Sequence, residues 1–179
     1  MKIAVLGCSA LGMFIGSYLS KNNEVYLVDI DKARINDINS KGVVICEPDN
    51  SSYKAFPSAT TKAVEVGKAD LVIFFVKPFC YESAIKNNKN LIDKNTYVMT
   101  LQDISDYDNV FSKYISEDKI ILGNTTHTSS IIKGKDRNHI NHDGSGQSHI
   151  NLPFGDNKNL EDIIHNFNKC DIETYLYNK

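Results

Sequence analysis

The sequence predicts a single α/β domain in which helices cover both faces of a doubly wound, mostly parallel sheet. Three observations support this prediction. A β-rich apolar run at residues 2–6 leads directly into a glycine turn at residues 7–12. Six consecutive apolar residues at 71–76 indicate a strand buried on both faces, which is typical of the centre of a parallel sheet. Strand-like runs then alternate with segments of helical periodicity, the first of them at residues 11–19.

The remaining elements follow the same alternation in chain order. Further strands are predicted at residues 24–29, 43–46, 53–56, 96–101, 119–123 and 172–177, and further helices at residues 31–40, 78–91, 106–115 and 160–167. Residues 43–46 and 53–56 are predicted to pair as a small hairpin. A C-terminal β-hairpin is predicted from residues 136–142 and 147–152, because the Asp143-Gly144-Ser145-Gly146 stretch between them favours a turn.

Composition narrows the classes of function. The chain has 179 residues, which suits one domain over residues 1–179, and 41% of them are hydrophobic and 23% charged. The net charge of −2 gives no electrostatic reason to expect nucleic acid or an anionic membrane as a partner. No apolar run approaches the ~20 residues that span a bilayer, and the first one ends too early for a signal peptide. We therefore expect a cytoplasmic protein.

The cysteines also favour a reducing compartment. The chain has four of them, at Cys8, Cys46, Cys80 and Cys170. They form no CxxC pair, so reduced thiols are expected. Cys8 lies near a predicted helix N-terminus, where the pKa of a thiol can fall. A redox role for Cys8 is therefore a minor alternative to a small side chain that fits the turn.

Three histidines lie close together in the sequence, at His139, His142 and His149. A hairpin would bring them near one another, but their intervals match no common zinc motif and no cysteine joins them. No metal site is predicted.

The first thirty residues show the pattern of a βαβ unit that binds a dinucleotide: strand, glycine turn, helix, second strand and terminal acid. Gly7 permits a tight turn, and Gly12 allows the helix to pack close to the sheet. The free N–H groups of the helix N-terminus favour a pyrophosphate. Ser9 stands where the usual pattern has glycine, which narrows the approach to the phosphates or supplies a hydrogen-bond donor. The predicted phosphate-binding residues are Gly7, Cys8, Ser9, Ala10, Leu11 and Gly12. The alternative is a glycine-rich turn that binds nothing.

Asp29 favours one cofactor over another. A carboxylate at the end of the second strand accepts hydrogen bonds from the adenosine ribose and repels a 2′-phosphate, so NAD is favoured over NADP. Lys32 and Arg34 follow closely and could bind a phosphate instead. The structural alternative for Asp29 is an N-cap of the next helix.

Polar residues also follow the predicted central strands. Lys77 comes directly after residues 71–76, and Gln102 and Asp103 follow residues 96–101. Ligands of open α/β sheets bind outside the carboxyl ends of the strands, so one crevice could hold these residues together with the glycine turn and Asp29.

Taken in order, these motifs resemble the N-terminal domain of ketopantoate reductases (2-dehydropantoate 2-reductases). Residues 1–12 match the opening of that family, residues 76–78 (VKP) its VKA-like step, residues 101–104 (LQDI) its LQNG-like strand end, and residues 123–127 (GNTTH) its GxTTH segment. The resemblance covers essentially the whole chain. It implies a Rossmann-like oxidoreductase of pantothenate biosynthesis, in which hydride passes from a nicotinamide cofactor, usually NADPH, to the 2-keto group of ketopantoate.

The resemblance also implies roles for individual residues. It places Lys77 near the nicotinamide and the substrate, and Gln102 and Asp103 beside the nicotinamide ribose. The structural alternatives are a strand-capping lysine at Lys77 and ordinary sheet packing at Thr126 and His127.

Two departures from the family pattern affect the expected activity. Asp103 replaces an asparagine, and an ionised carboxylate accepts hydrogen bonds but does not donate them. The family also continues into a helical domain that carries the catalytic lysine, whereas this chain ends at Lys179. We therefore expect a cofactor domain with an incomplete active site, either as a fragment or as a natural short form.

The expected ligands are a nicotinamide dinucleotide and a small 2-keto acid. Two alternatives remain: a non-catalytic nucleotide-binding or sensor module, and a dehydrogenase for another 2-keto acid. A homo-oligomer is also left open, since Tyr175 and Tyr177 hint at a covered surface.

Overall fold

Two β-sheets form the framework of the computed structural model, which describes residues 1–102 and 108–177. In chain order the strands are β1 (Lys2–Leu6), β2 (Glu24–Val28), β3 (Val43–Cys46), β4 (Ser52–Ala55), β5 (Ser58–Thr60), β6 (Leu71–Phe74), β7 (Tyr97–Thr100), β8 (Ile120–Thr125), β9 (Ser129–Ile131), β10 (His139–His142), β11 (Ser148–Asn151) and β12 (Thr174–Leu176). The α-helices are α1 (Ala10–Leu19), α2 (Lys32–Lys41), α3 (Tyr81–Asn87), α4 (Asp108–Ser112) and α5 (Glu161–Lys169).

The larger sheet has the strand order β12-β11-β8-β7-β6-β1-β2-β5. All of its neighbouring strands are parallel except β8 and β11, which pair antiparallel. All four residues of β6 are buried, as their continuous apolar run predicts. The parallel strands from β8 to β5 therefore present their carboxyl ends along one edge.

Helices cover both faces of this sheet. Successive side chains of a strand point to opposite faces, and those of β1 divide accordingly between two hydrophobic clusters. Ile3 and Val5 share one cluster with Phe14 of α1 and Phe167 of α5. The alternate residues of the strand share the other cluster with residues of α3 and α4. The predicted fold class, a doubly wound and mostly parallel α/β sheet, is confirmed.

The smaller sheet has the order β4-β3-β10-β9 and packs against α1. Its antiparallel pair of β3 and β4 confirms the small hairpin predicted there. Strand β10 lies between β3 and β9.

The predicted C-terminal hairpin is wrong, although both of its strands exist. β10 belongs to the smaller sheet and β11 to the larger one. Each has neighbours on both sides, so residues 143–147 cross between the sheets instead of closing a turn. Gly146 lies directly against the chain at His127, where an added Cβ would come within 2.4 Å of the His127 nitrogen. This close approach explains the glycine without a hairpin.

Other predicted elements differ in their bounds. The helix predicted at 78–91 is broken into 3₁₀ turns at Pro78–Cys80 and Lys89–Leu91 on either side of α3. Strands β5 and β9 have three residues each and were not predicted, because neither shows a clear apolar pattern. Among the described residues, no helix is long and apolar enough to cross a membrane.

Candidate functional site

The turn after β1 requires glycine at two positions. Gly7 has φ +102°, and its N–H donates to the Val28 carbonyl at 2.9 Å. A Cβ on Gly7 would lie 2.9 Å from the Phe75 carbonyl carbon, and one on Gly12 would lie 2.2 Å from the Gly7 carbonyl oxygen. Both obstacles are backbone atoms, which cannot rotate away. The result is a close-packed glycine turn at the start of α1, which fits the cradle that a pyrophosphate needs.

Ser9 serves this turn as the N-cap of α1. Its Oγ accepts a hydrogen bond from the Gly12 N–H at 3.1 Å, and the residue is exposed. Ala10 and Leu11 form the first turn of the helix and are half-buried. The serine therefore satisfies one of the free N–H groups at the helix N-terminus.

Asp29 lies across from this loop and binds it directly. Its Oδ2 accepts from the Cys8 N–H at 2.6 Å, and its Oδ1 accepts from the Asp31 N–H at 2.9 Å. The N-cap of α2 is Asp31, which accepts from the Ala33 and Arg34 N–H groups at 3.1 Å. The N-cap alternative for Asp29 is therefore wrong, because that position belongs to the acid two residues later.

Cys8 is buried beneath the loop, and its environment disfavours the thiolate. Burial is the main cause that raises the pKa of its thiol, and the nearby Asp29 carboxylate raises it further. The thiol pKa lowered by a helix N-terminus, considered from the sequence, is therefore wrong.

Two arginines lie beside the loop and the start of α2. Arg34 Nη1 donates to the Cys8 carbonyl at 3.1 Å, and Arg137 Nη1 lies 2.8 Å from Asp31 Oδ2. The Arg34 N–H, followed by the charge of Arg137, lowers the pKa of Asp31. Lys32 is exposed at the start of α2. The charges of the two arginines are thus engaged by Asp31 and the Cys8 carbonyl, whereas that of Lys32 is exposed.

A cleft of about 510 Å³ opens at the carboxyl ends of β1, β2 and β6, and Gly7 and Asp29 line it. Its size falls within the range of small-molecule sites. Ile30 and Val64 also line it, and they are 95% and 72% exposed. Two exposed apolar side chains at a cleft suit a flat ring such as adenine. Neither residue was predicted from the sequence, although an apolar Ile30 between Asp29 and Asp31 could have indicated an exposed ligand contact.

Lys77 and Gln102 lie on the same edge of the sheet. Lys77 is exposed between β6 and the following 3₁₀ turn. Gln102 follows β7 and is half-buried, with its Oε1 accepting from the Tyr81 hydroxyl at 2.8 Å. Because β1, β6 and β7 are adjacent, the glycine turn, Lys77 and Gln102 follow three neighbouring strands. Asp103 and Ile104 lie outside the described residues.

The three histidines considered as metal ligands do not share one site. His142 contacts His127, whereas His149 packs against Tyr175 and Tyr177 in the larger sheet. Within residues 1–102 and 108–177, no group of three histidine, cysteine or acidic side chains is placed to hold a metal.

Comparison with known proteins gives a consistent set of relatives. A family model described as "Ketopantoate reductase PanE/ApbA" matches residues 3–153. The 2-dehydropantoate 2-reductase of Streptococcus pyogenes serotype M3 is 30% identical over 162 residues, which cover 90% of this chain and 50% of that protein. The enzyme of the same name from Pyrococcus abyssi is 28% identical over 183 residues, which cover 98% of this chain and 56% of that protein. The chain therefore spans about half the length of these relatives.

Solved structures show the same fold. A 2-dehydropantoate 2-reductase from Geobacter metallireducens GS-15 has a TM-score of 0.87 at 19% identity, covering 99% of this chain and 58% of that one. D-mandelate dehydrogenase, solved with NADH and anilino(oxo)acetate, has a TM-score of 0.89 at 23% identity, covering 99% and 57%. At these identities the likeness concerns the fold alone.

Proposed function

Because the chain belongs to the ketopantoate reductase family, we propose that residues 1–179 form its dinucleotide-binding domain and serve the reduction of a small 2-keto acid. The observation that carries this proposal is the contact between Asp29 and the glycine turn, where the carboxylate accepts the Cys8 N–H at 2.6 Å. The acid and the phosphate-binding turn of the pattern thus face each other across one cleft.

The side chains around the cleft then take separate roles. The N-terminus of α1 and the loop of Gly7, Cys8, Ser9, Ala10, Leu11 and Gly12 bind the pyrophosphate. Asp29 accepts from the adenosine ribose, since a carboxylate oxygen that already binds one N–H keeps a further lone pair. Ile30 and Val64 enclose the adenine. Lys77, Gln102 and Asp103 serve the nicotinamide end.

A nicotinamide dinucleotide bound in the cleft would supply the hydride, and the resemblance implies 2-dehydropantoate as the acceptor. Lys77 is the cation of this chain that we place near the anionic keto acid. The resemblance implies that the proton for the carbonyl oxygen comes from a lysine of the family's helical domain. Ketopantoate reduction is thus assigned to this domain together with a partner domain.

Asp29 further favours NADH over NADPH, because its charge repels a 2′-phosphate. Arg34 and Arg137 do not offset this charge freely, since they are held by the Cys8 carbonyl and Asp31. Asp29→Asn should weaken NADH binding by about tenfold, the loss of a charge-assisted hydrogen bond, and shift the NADH-to-NADPH affinity ratio toward NADPH. Fluorescence titration of both cofactors measures the ratio.

The matched control for this variant is Asp37→Asn on α2. The Asp37 carboxylate lies 3.5 Å from the Lys41 ammonium and does not line the cleft. This control should leave both affinities unchanged. An Asp29→Asn protein that keeps the wild-type ratio would contradict the cofactor preference.

A non-catalytic nucleotide-binding module is the second candidate, favoured by the carboxylate at Asp103 in place of an amide. One experiment separates the candidates: titrate the chain with NADH and NADPH, then follow the loss of cofactor absorbance with ketopantoate and with other 2-keto acids. Turnover of ketopantoate supports the reductase, and turnover of another acid supports a related dehydrogenase. Binding without turnover supports either the module or a reductase domain that lacks its partner domain, whereas absence of binding contradicts the proposal.

A further inference from the structure

Four side chains from separate parts of the chain form a continuous hydrogen-bonded network, which we call the histidine network. The Tyr18 hydroxyl donates to Glu47 Oε1 at 2.5 Å, and His142 Nδ1 lies 2.7 Å from Glu47 Oε2. His142 Nε2 in turn lies 3.1 Å from His127 Nδ1. The two imidazoles are only 8% and 6% exposed. The network is therefore an interior feature that surface solvation does not explain.

The network holds helix α1 from the side. The ring of Phe14 stacks on His142 with centroids 4.1 Å apart and lies 5.1 Å from His127. Tyr18, one turn further along the helix, binds Glu47 through its hydroxyl. Helix α1 begins at the proposed phosphate loop, and His127 follows the carboxyl end of β8. The network thus joins the helix that begins at the loop to the segment that follows the carboxyl end of β8.

Hydrogen-bond direction fixes where the protons are. Glu47 is an acceptor, so His142 must donate its Nδ1–H to it. With its proton on Nδ1, His142 presents a lone pair at Nε2, and His127 donates its own Nδ1–H to that lone pair. His127 Nε2 is left as a buried lone pair without a partner among the described residues.

We propose that the histidine network is a positioning device: it holds His127 in the Nδ1–H tautomer and fixes helix α1, so that the phosphate loop keeps its geometry. Glu47, His142 and His127 are thereby positioning residues for cofactor binding. This role rests on the nucleotide binding proposed above, but the arrangement of protons and of the loop exists in the free protein.

Nuclear magnetic resonance of the free protein tests the proposal without cofactor. Long-range ¹H–¹⁵N correlations of His127 should show a protonated Nδ1 and an unprotonated Nε2. Glu47→Gln keeps the size of the side chain but can donate as well as accept, and it should remove this tautomer preference. The same substitution should shift the backbone amide resonances of residues 8–12. Glu117→Gln, an exposed residue before β8, is the matched control and should leave those resonances unchanged.

Cofactor affinity gives the functional readout. Glu47→Gln should weaken NADH binding by about three- to tenfold, as expected for a residue that acts through packed neighbours. His142→Phe keeps an aromatic ring against Phe14 but removes both hydrogen bonds, and it should show the same loss. Circular dichroism identifies variants that fail to fold.

Three results would overturn the proposal: a protonated Nε2 on His127, loop amides that do not respond in a folded Glu47→Gln protein, or wild-type NADH affinity in both folded variants. A wild-type protein that binds neither cofactor would instead overturn the proposed function, and the tautomer and the loop amides would still decide the role of the network.

Discussion

Gly12 and Gly16 both lie on the buried side of α1, but an added methyl group meets different atoms at each. At Gly12 it would come within 2.2 Å of the Gly7 carbonyl oxygen, which belongs to the backbone of the phosphate loop. At Gly16 it would come within 2.5 Å of Leu27 Cδ2, the end of a flexible side chain. Only the second obstacle can move aside by a change of rotamer.

We expect Gly12→Ala to lower the free energy of unfolding by about 3 kcal/mol or more, because the loop itself must shift. Gly16→Ala, the matched control, should cost about 1 kcal/mol, since its neighbour can yield and alanine favours the helix. Urea unfolding measures both changes. Equal losses of unfolding free energy in the two variants would show that the loop backbone does not exclude a larger side chain at Gly12.

His127 should make stability depend on pH. Burial, followed by the nearby His142, lowers its pKa from the ordinary 6.5 to about 4, and the Glu47 and Glu173 charges oppose this. Between these values the unfolded chain binds a proton that the folded chain does not, so the free energy of unfolding falls as the pH drops from 6.5 to about 4.

His127→Gln should flatten this part of the pH dependence, which urea unfolding at several pH values measures. His149→Gln is the control, because His149 lies in the larger sheet beside Tyr175. If the free energy of unfolding of the His127 variant depends on pH as steeply as that of the wild type, other groups cause the dependence.

At the scale of single residues, local patterns predicted the glycines and Asp29 because the turn, helix and acid are close in sequence. The histidine network was not predictable in this way. Glu47 and His142 are 95 positions apart and meet only through the smaller sheet. Ile30 and Val64 likewise gain their significance from a cleft that no local pattern reveals.

At the scale of elements, α1 depends on its cap. Ser9→Ala removes the acceptor for the Gly12 N–H and should lower the free energy of unfolding by about 1 kcal/mol, whereas Ser9→Gly should cost only a few tenths. Thermal unfolding of the two variants measures the difference. If alanine and glycine cost the same, the Ser9 hydroxyl contributes nothing as a cap.

Strands and helices were predictable where apolar periodicity was strong, as in β6 and α5. The hairpin was mispredicted because local turn propensity says nothing about partners. The Asp143-Gly144-Ser145-Gly146 stretch favours a turn, but β10 pairs with β3 and β9, and β11 pairs with β8 and β12. Such pairings depend on segments up to a hundred positions away, for which a single sequence carries no direct signal.

At the scale of the whole molecule, the parallel centre of the larger sheet followed from its uniformly apolar strands, of which β6 is the clearest. The smaller sheet as a layer could not be predicted, because its strands have only three or four residues each and their apolar and polar residues alternate weakly. The candidate site lies in the part of the fold that the sequence predicts well, at the carboxyl ends of β1, β2, β6 and β7.

The short crossing at residues 143–147 has a consequence for how the molecule opens. Because this connection between β10 and β11 is short, one sheet cannot move away from the other without disturbing a strand in both. Native-state hydrogen exchange should therefore find the amides of β3 and β10 opening in the same cooperative step as those of β1 and β6. Exchange through a distinct, lower-energy opening of the smaller layer would show that the two behave as independent foldons.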